Sequence, residues 1–112
     1  MPRICIHGHF YQPPREDPWT GEVRPQPSAL PFQDWNQRIT AECYRASAHA
    51  AVLGPDGEVV ERRRTYDYIS FNFGPTLLRW LTRNAPDVVQ SLVEADQHSL
   101  ARLGHGNALA QA

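Results

Sequence analysis

Two histidines lie one residue apart near the start of the chain, at the end of a short apolar run. Because side chains alternate along a β-strand, His7 and His9 would share one face of a strand, with about 6 to 7 Å between their positions. Imidazoles in this arrangement suit three roles: metal ligands, hydrogen-bonding partners of a polar substrate, or core histidines bonded within the protein. A catalytic zinc site needs a third protein ligand, for which His105 is the only obvious candidate in the sequence.

Polar residues also follow the other elements predicted from the sequence. Asn72 is near the end of a second apolar strand, and the glycine-punctuated segment over 104–108 contains His105 and Asn107. In α/β folds with a parallel sheet, ligands bind at the carboxyl ends of the strands. The pattern therefore predicts that His9, Asn72 and the turn with His105 meet at one edge of a sheet.

Two strands must hold these side chains. Residues 3–10 form a nearly continuous apolar run, which is typical of a strand covered on both faces. Residues 68–73 alternate instead, with Ser70 and Asn72 on one side and Phe71 on the other. We therefore expect the second strand to have one polar and one apolar face.

Helix caps and turn residues define the other elements. Asp34 caps a helix, and Gln37 three residues later completes a capping box. Pro75 and Pro86 each occupy the first turn of a helix. Besides the strands, the predicted elements are a proline-rich functional loop over 11–33, a helix over 35–47, a hairpin over 51–61, helices over 75–84 and 86–103, and a glycine-rich turn over 104–108 that leads into a third strand through 108–110. This order predicts an α/β fold with a parallel sheet.

Composition and charge exclude several classes of function. The chain has 112 residues and a formal net charge of -1, which provides no basic field for nucleic acid or an anionic membrane. It has neither an apolar stretch of roughly 18 residues nor an export signal, so we expect no membrane partner and a cytoplasmic location. Cys5 and Cys43 lack the spacing of a disulfide framework or a metal knuckle, and we expect both to be buried thiols.

The motifs around these residues resemble those of a known enzyme family. The segment HGHFYQPP at residues 7–14 is similar to the first motif of glycoside hydrolase family 57, a His-x-His followed by Gln-Pro at the end of the first barrel strand. The intervening Phe10-Tyr11 resembles the branch of that family with an additional uncharacterised C-terminal domain. The segment ISFNFGPTLL at residues 69–78 is similar to the family's second strand and following helix, and GHGNA at residues 104–108 resembles this branch's second motif.

The resemblance implies a TIM-like (β/α)7 barrel that acts on α-glucans or related oligosaccharides, as a retaining hydrolase or glucanotransferase without a cofactor. It implies a Glu nucleophile and an Asp general acid. The side chains implied as sugar contacts are His7, His9, Gln12, Asn72, His105 and Asn107. Trp19 or Tyr11 in the long loop offers a flat face on which a sugar ring can stack, and the alternative for Trp19 is a loop anchor.

Neither catalytic carboxylate of the family is expected in this chain. In the family both come from later strands, and no segment of the 112 residues matches those motifs. A retaining pair needs carboxyl groups about 5 to 5.5 Å apart. The acidic residues of the loop and first helix are expected instead to be solvated or to brace the loop: Glu16, Asp17, Glu22 and Glu42.

The expected barrel is incomplete in this chain. A closed barrel takes roughly 200 residues or more, and this sequence provides two clear strands and the start of a third. We therefore expect an amino-terminal fragment with the remainder of the barrel as its partner. Alone, such a fragment is expected to be inactive, marginally stable and prone to aggregate.

Two other functions stay open on the sequence alone. A metal-dependent barrel hydrolase would use His7, His9 and His105 as ligands. A non-catalytic protein would bind carbohydrate, or pair with a second chain that completes the barrel. Elemental analysis tests the first, because it requires near-stoichiometric zinc that is lost in a His7→Ala variant.

Overall fold

The computed structural model describes residues 2–109 as a small mixed α/β protein with two two-stranded sheets. The first sheet pairs β1 (His7–Phe10) with β4 (Ser70–Phe73) in parallel. The second sheet is an antiparallel hairpin of β2 (Ala50–Leu53) and β3 (Val59–Arg63). The predicted parallel pairing of the two core strands is therefore present.

An isolated bridge lies at the other edge of β4, where the third strand is predicted. The backbone N–H of Phe71 donates to the carbonyl of Asn107 at 2.9 Å, and the N–H of Leu109 donates to the carbonyl of Phe71 at 2.8 Å. These bonds form a parallel bridge between Phe71 and Ala108. β4 therefore lies between β1 and the start of the predicted third strand, whose last residue, Ala110, lies outside the described residues.

Both core strands are shorter than predicted. β1 begins at His7 rather than at residue 3, and β4 begins at Ser70 rather than at residue 68. The N–H of Tyr68 donates to the carbonyl of Thr65 in a 3-10 turn (Thr65–Asp67), so the chain is not extended before β4. Ile6 still accepts the N–H of Ser70 at 3.1 Å, but the residues before it have no extended neighbour to pair with.

The shortened β1 leaves the preceding residues in solvent. Ile4 is 91% exposed and Ile6 is 62% exposed, so the expectation of a strand over 3–10 covered on both faces is wrong. Cys5 is also exposed and Cys43 is only partly buried. The expectation that both thiols are buried is therefore wrong, because the segment with Cys5 lies beyond the paired part of β1.

The helix predicted over 35–47 is present and ends one residue later. It consists of α1 (Trp35–Ile39), a π-helical turn (Thr40–Tyr44) and α2 (Arg45–Ala48). Asp34 caps it as predicted, since its carboxylate accepts the N–H of Gln37 at 2.9 Å. The return bond of the capping box differs by one residue: the N–H of Gln33 donates to Oε1 of Gln37 at 3.3 Å. The π-helical turn was not predicted.

Turn and cap residues place the remaining elements close to their predicted positions. The hairpin predicted over 51–61 extends over 50–63 and turns at Gly57, whose φ is 81°. α3 (Pro75–Asn84) and α4 (Pro86–Leu103) have the predicted bounds. Gly104 ends α4 with a φ of 83°, a left-handed conformation that glycine adopts without steric cost. Within residues 2–109, none of the helices combines the length and the apolar character that a membrane crossing requires.

The core lies on one face of the β1–β4 sheet. Phe71 and Phe73 point from β4 into it, and Phe10 of β1 stacks on Phe73 with 4.8 Å between ring centroids. The other buried residues of this core are Tyr44, Ala48, Tyr66, Leu77, Trp80, Leu81, Ala85, Val88, Leu92 and Ala95. The predicted apolar face of β4 is confirmed. The opposite face of the sheet, called the polar face below, carries His7, His9, Ser70 and Asn72.

The proline-rich segment between β1 and α1 is an ordered loop, as predicted. A 3-10 turn (Pro27–Ala29) and an antiparallel bridge between Glu16 and Val23 organise it. Ala29 is fully buried, which fixes the loop against the rest of the protein. The loop starts directly at the end of β1, so its first residues lie next to the polar face.

Candidate functional site

The polar face consists of two side-chain pairs. Each pair is made of one residue of β1 and the residue opposite it on β4. His7 lies opposite Ser70 and His9 lies opposite Asn72 in the parallel register. Nδ1 of His7 is 2.8 Å from Oγ of Ser70, and Nδ1 of His9 is 2.8 Å from Oδ1 of Asn72. Both pairs are exposed. The predicted shared face of the two histidines is therefore confirmed, and it lies on the side away from the core.

The partner of His9 determines where the ring carries its proton. Oδ1 of Asn72 is a carbonyl oxygen, which can accept a hydrogen bond but cannot donate one. In this orientation of the Asn72 amide, Nδ1 of His9 is the donor of the 2.8 Å bond. In the neutral ring this leaves Nε2 as an acceptor, and Nδ2 of Asn72 as a donor beside it. The hydroxyl of Ser70 can donate or accept, so it does not impose one form on His7.

Tyr11 extends the polar face past the end of β1. Its ring is nearly parallel to that of His9, with 8° between the planes and 6.4 Å between the centroids. The side chain is half exposed. The imidazole and phenol rings are therefore stacked, and the exposed part of the phenol ring lies next to the hydrogen-bonding groups. An aromatic ring beside such groups suits a ligand with both an apolar face and hydroxyl groups.

Gln12 is not available to a ligand in this structure. It is 9% exposed, and its Nε2 donates to the hydroxyl of Tyr44 at 3.1 Å. Its Oε1 accepts from Nη2 of Arg15 at 2.9 Å. Burial raises the pKa of the Tyr44 phenol, and the hydrogen bond from Gln12 offsets part of that rise. The amide thus joins the start of the loop to the first helix, and the structure does not bring it to the histidines.

Trp19 lies at the tip of a tight turn and is 92% exposed. Its N–H donates to Oδ1 of Asp17 at 2.8 Å, and the N–H of Thr20 donates to the same oxygen at 3.3 Å. The Asp17 carboxylate also pairs with Arg24 at 2.6 Å and is itself 7% exposed. The alternative that the Trp19 side chain anchors the loop is wrong, because Asp17 braces the turn and the indole contacts solvent. Stacking on a sugar stays a prediction.

The turn after α4 contributes backbone to the sheet. Asn107 provides the carbonyl that Phe71 bonds, whereas His105 is exposed and its Nδ1 donates to the carbonyl of Gly106 at a long 3.4 Å. The structure therefore places Asn107 beside β4 but does not join His105 to the histidine pair. A role of either side chain in sugar binding stays a prediction.

Asp96 of α4 fastens this turn. Its Oδ1 accepts the N–H of Ala108 at 3.0 Å. A Cβ atom on Gly106 would collide with the same carboxylate, so a side chain there would displace Asp96 from its bond to Ala108. Asp96 is not among the site residues predicted from the sequence, because its bond joins positions twelve residues apart and no local pattern encodes it.

Ser70 is the second residue that sequence analysis did not nominate. Alternation placed it on the face of Asn72, but its bond to His7 depends on the exact alignment of the two strands. That alignment joins residues 63 positions apart in the chain, and no local pattern encodes it. The polar face could therefore be predicted as a set of residues but not as two specific pairs.

The arrangement does not support a three-ligand metal site. Within residues 2–109, no group of three or more His, Cys, Asp or Glu side chains is placed to hold a metal ion. The Nδ1 atoms of His7 and His9 are both used in hydrogen bonds to β4. His105, the third ligand that a zinc hydrolase would require, bonds within its own turn.

The four acidic residues of the loop and first helix either bond to neighbouring residues or are exposed to solvent. Asp17 braces the loop, as described, and Oε2 of Glu16 accepts the N–H of Arg15 at 3.1 Å. Glu42 pairs with Arg38 one helical turn away at 3.1 Å. Glu22 is exposed. These contacts agree with the prediction of bracing or solvated roles.

Comparison of the chain with protein-family models, with curated proteins and with solved structures finds no match.

Proposed function

We propose that the polar face is a carbohydrate-binding surface, whose ligands are α-glucans or related oligosaccharides. The proposal depends on one observation: two imidazoles, each bonded to a polar partner on β4, lie side by side on the exposed face of the sheet. A sugar hydroxyl both donates and accepts hydrogen bonds, and these side chains offer both kinds of group. Tyr11 supplies a flat ring next to them, on which the apolar face of a sugar can lie.

We further propose that the chain is the amino-terminal part of a (β/α)7 barrel, in a retaining glycoside hydrolase or glucanotransferase. β1 and β4 are parallel with helices on one side, and the bridge at Ala108 extends the sheet in the same direction. In a barrel wall of this kind, the face away from the helices lines the interior. His7 and His9 would then point into the interior, and both catalytic carboxylates would come from other strands.

A groove beside β4 supports continuation of the sheet on that side. It has a volume of about 490 Å3 and is lined by β4, α3, α4 and the residues of the bridge. Leu78, Val93 and Leu109 on its wall are 37%, 44% and 52% exposed. We propose that a strand and helix that continue from Ala108 cover it. With this groove and the edge of β1 uncovered, the 112-residue chain is expected to associate at high concentration.

The proposed location is the cytoplasm.

Titration with maltoheptaose, followed by NMR, tests the carbohydrate proposal. We expect shifts at the amides of β1 and β4, and a His9→Ala variant that binds about five-fold more weakly, because one hydrogen bond of about 1 kcal/mol is lost. His98→Ala is the matched control, since His98 is an exposed histidine of α4 that pairs with Asp67 away from the sheet. Equal binding by the His9→Ala variant, or no shift with wild type, would contradict the proposal.

The barrel proposal has its own test. The coding sequence that follows Ala112 is expected to continue in frame and to encode later motifs with a Glu and an Asp. We expect no maltoheptaose hydrolysis by the 112-residue chain itself. A stop codon directly after Ala112 would favour the non-catalytic carbohydrate-binding protein. Hydrolysis by this chain would show that its own side chains suffice and would overturn the assignment of catalysis to other strands.

A further inference from the structure

We propose that Asn72 is a positioning residue that holds His9 in one neutral form, with the proton on Nδ1 and the lone pair on Nε2. The two residues lie directly opposite each other in the parallel sheet, and Nδ1 of His9 is 2.8 Å from Oδ1 of Asn72. The carbonyl oxygen accepts only, so it stabilises the protonated Nδ1 and disfavours the alternative ring. An unconstrained histidine in water favours the opposite form, with the proton on Nε2.

The neighbouring pair provides an internal comparison. His7 faces Ser70, whose hydroxyl accepts from a protonated Nδ1 and equally donates to an unprotonated one. His7 is therefore free to change its form when a ligand binds, whereas His9 is not. Two histidines on one face thus differ in hydrogen-bonding character because their partners on β4 differ.

This arrangement narrows the chemistry of the ligand, and this step rests on the proposed carbohydrate function. Nε2 of neutral His9 accepts a hydrogen bond, and Nδ2 of Asn72 donates one from the adjacent strand. A ligand with two neighbouring hydroxyl groups can donate to the first and accept from the second. An ionised carboxylate cannot donate to Nε2 and would meet its lone pair while the ring is neutral. With His9 neutral, the site therefore favours a vicinal diol over a carboxylate of similar size.

The ring form can be measured directly. Protein labelled with 15N in histidine is examined at pH 8, where an ordinary imidazole is neutral, and the shifts of Nδ1 and Nε2 identify the protonated nitrogen. We expect His9 to be mainly protonated on Nδ1 in wild type. Asn72→Asp keeps an accepting oxygen and should keep this form, whereas Asn72→Leu should shift His9 towards protonation on Nε2. Ser70→Ala is the control, because it removes the partner of His7 and should leave His9 unchanged.

Several results would overturn the proposal. Wild-type His9 protonated mainly on Nε2 would refute it without any variant, so a variant that fails to fold does not decide the outcome. An unchanged ring form in Asn72→Leu would also refute it. Folding of each variant is checked at the amide of Phe71, which bonds to Asn107 on the neighbouring strand.

Binding of maltoheptaose separates this inference from the proposed function. We expect Asn72→Asp, which keeps the ring form but loses the Nδ2 donor, to bind about five-fold more weakly than wild type. Asn72→Leu should lose binding by a further factor of about five, because the ring form changes as well. The expected ring forms without any binding would refute the carbohydrate function and leave the positioning role intact. If wild type binds maltoheptaose while His9 is protonated on Nε2, the positioning role is refuted and the carbohydrate function is left intact.

Discussion

Replacing Tyr66 by phenylalanine removes one hydroxyl from the centre of the core and keeps the aromatic ring. Tyr66 is fully buried, and its hydroxyl donates to the backbone carbonyl of Tyr44 at 2.8 Å. The ring packs against Phe71 and Phe10, with centroids 5.2 Å and 5.8 Å away, so its apolar contacts survive the change. Loss of the bond leaves a buried carbonyl without this donor. We expect the free energy of unfolding to fall by about 1 to 2 kcal/mol at pH 8.

The same substitution should change the response to high pH. Burial raises the pKa of the Tyr66 phenol well above its ordinary value of 10.0. The folded protein therefore keeps this proton where the unfolded chain begins to release it. The contribution to stability is complete below pH 10 and is lost as the pH rises above it. Between pH 8 and pH 11 one such group removes about 1.4 kcal/mol of stability, so Tyr66→Phe and wild type should be about equally stable at pH 11.

Urea denaturation followed by circular dichroism at pH 8 and pH 11 measures both effects. Tyr68→Phe is the matched control, because it removes the same hydroxyl from a side chain that is 60% exposed, and it should stay within about 0.5 kcal/mol of wild type at pH 8. The reasoning is refuted if Tyr66→Phe is as stable as wild type at pH 8. It is also refuted if the difference between them is the same at both pH values.

Three further substitutions test other parts of the structure. Asp34→Ala removes the cap of the first helix and should lower the free energy of unfolding by about 1 kcal/mol in the same assay, and no loss would mean that the bond to Gln37 is not formed. Leu77→Ala empties a site that is 1% exposed and should cost about 2 to 5 kcal/mol, with a smaller loss contradicting the described core. Trp19→Ala should leave the unfolding free energy within about 0.5 kcal/mol of wild type, because the indole is 92% exposed, and should weaken maltoheptaose binding. Unchanged sugar binding in that variant would exclude Trp19 from the site.

Local sequence signals were sufficient for the ends of the two long helices and for the position of the hairpin turn. Pro75 and Pro86 begin α3 and α4, and Gly104 ends the second of these helices, as predicted. Proline at a first helical turn and glycine in a left-handed conformation act within a few residues, so their effect does not depend on the rest of the fold. The cap at Asp34 was predictable for the same reason.

Features that depend on distant partners were predicted poorly. The apolar run before His7 has the composition of a strand, but a strand needs a neighbour, and the turn at Thr65–Asp67 ends that neighbour at Ser70. Gln12 was assigned to a ligand on its position in a motif, whereas the structure buries its amide between Tyr44 and Arg15. Neither outcome is encoded near the residue concerned.

In the candidate site, too, the locally encoded features were predicted and the features that depend on distant residues were not. Alternation along two strands predicted that His7 and His9 share a face and that Asn72 lies on the polar side of the second strand. Which residue of β4 bonds which histidine follows from the register, which only the folded structure provides. The different partners of the two rings, and hence their different hydrogen-bonding character, could not be predicted.

The separation of 63 residues between the members of each histidine pair has a consequence for folding. The hairpin and the two long helices close short loops and have low contact order, whereas β1 can join β4 only after the whole intervening segment has been brought together. The polar face should therefore assemble late during folding. In the native state, detachment of the four-residue β1 would separate both side-chain pairs of the polar face while the helices stay folded. Amide hydrogen exchange should thus be faster in β1 than in α4.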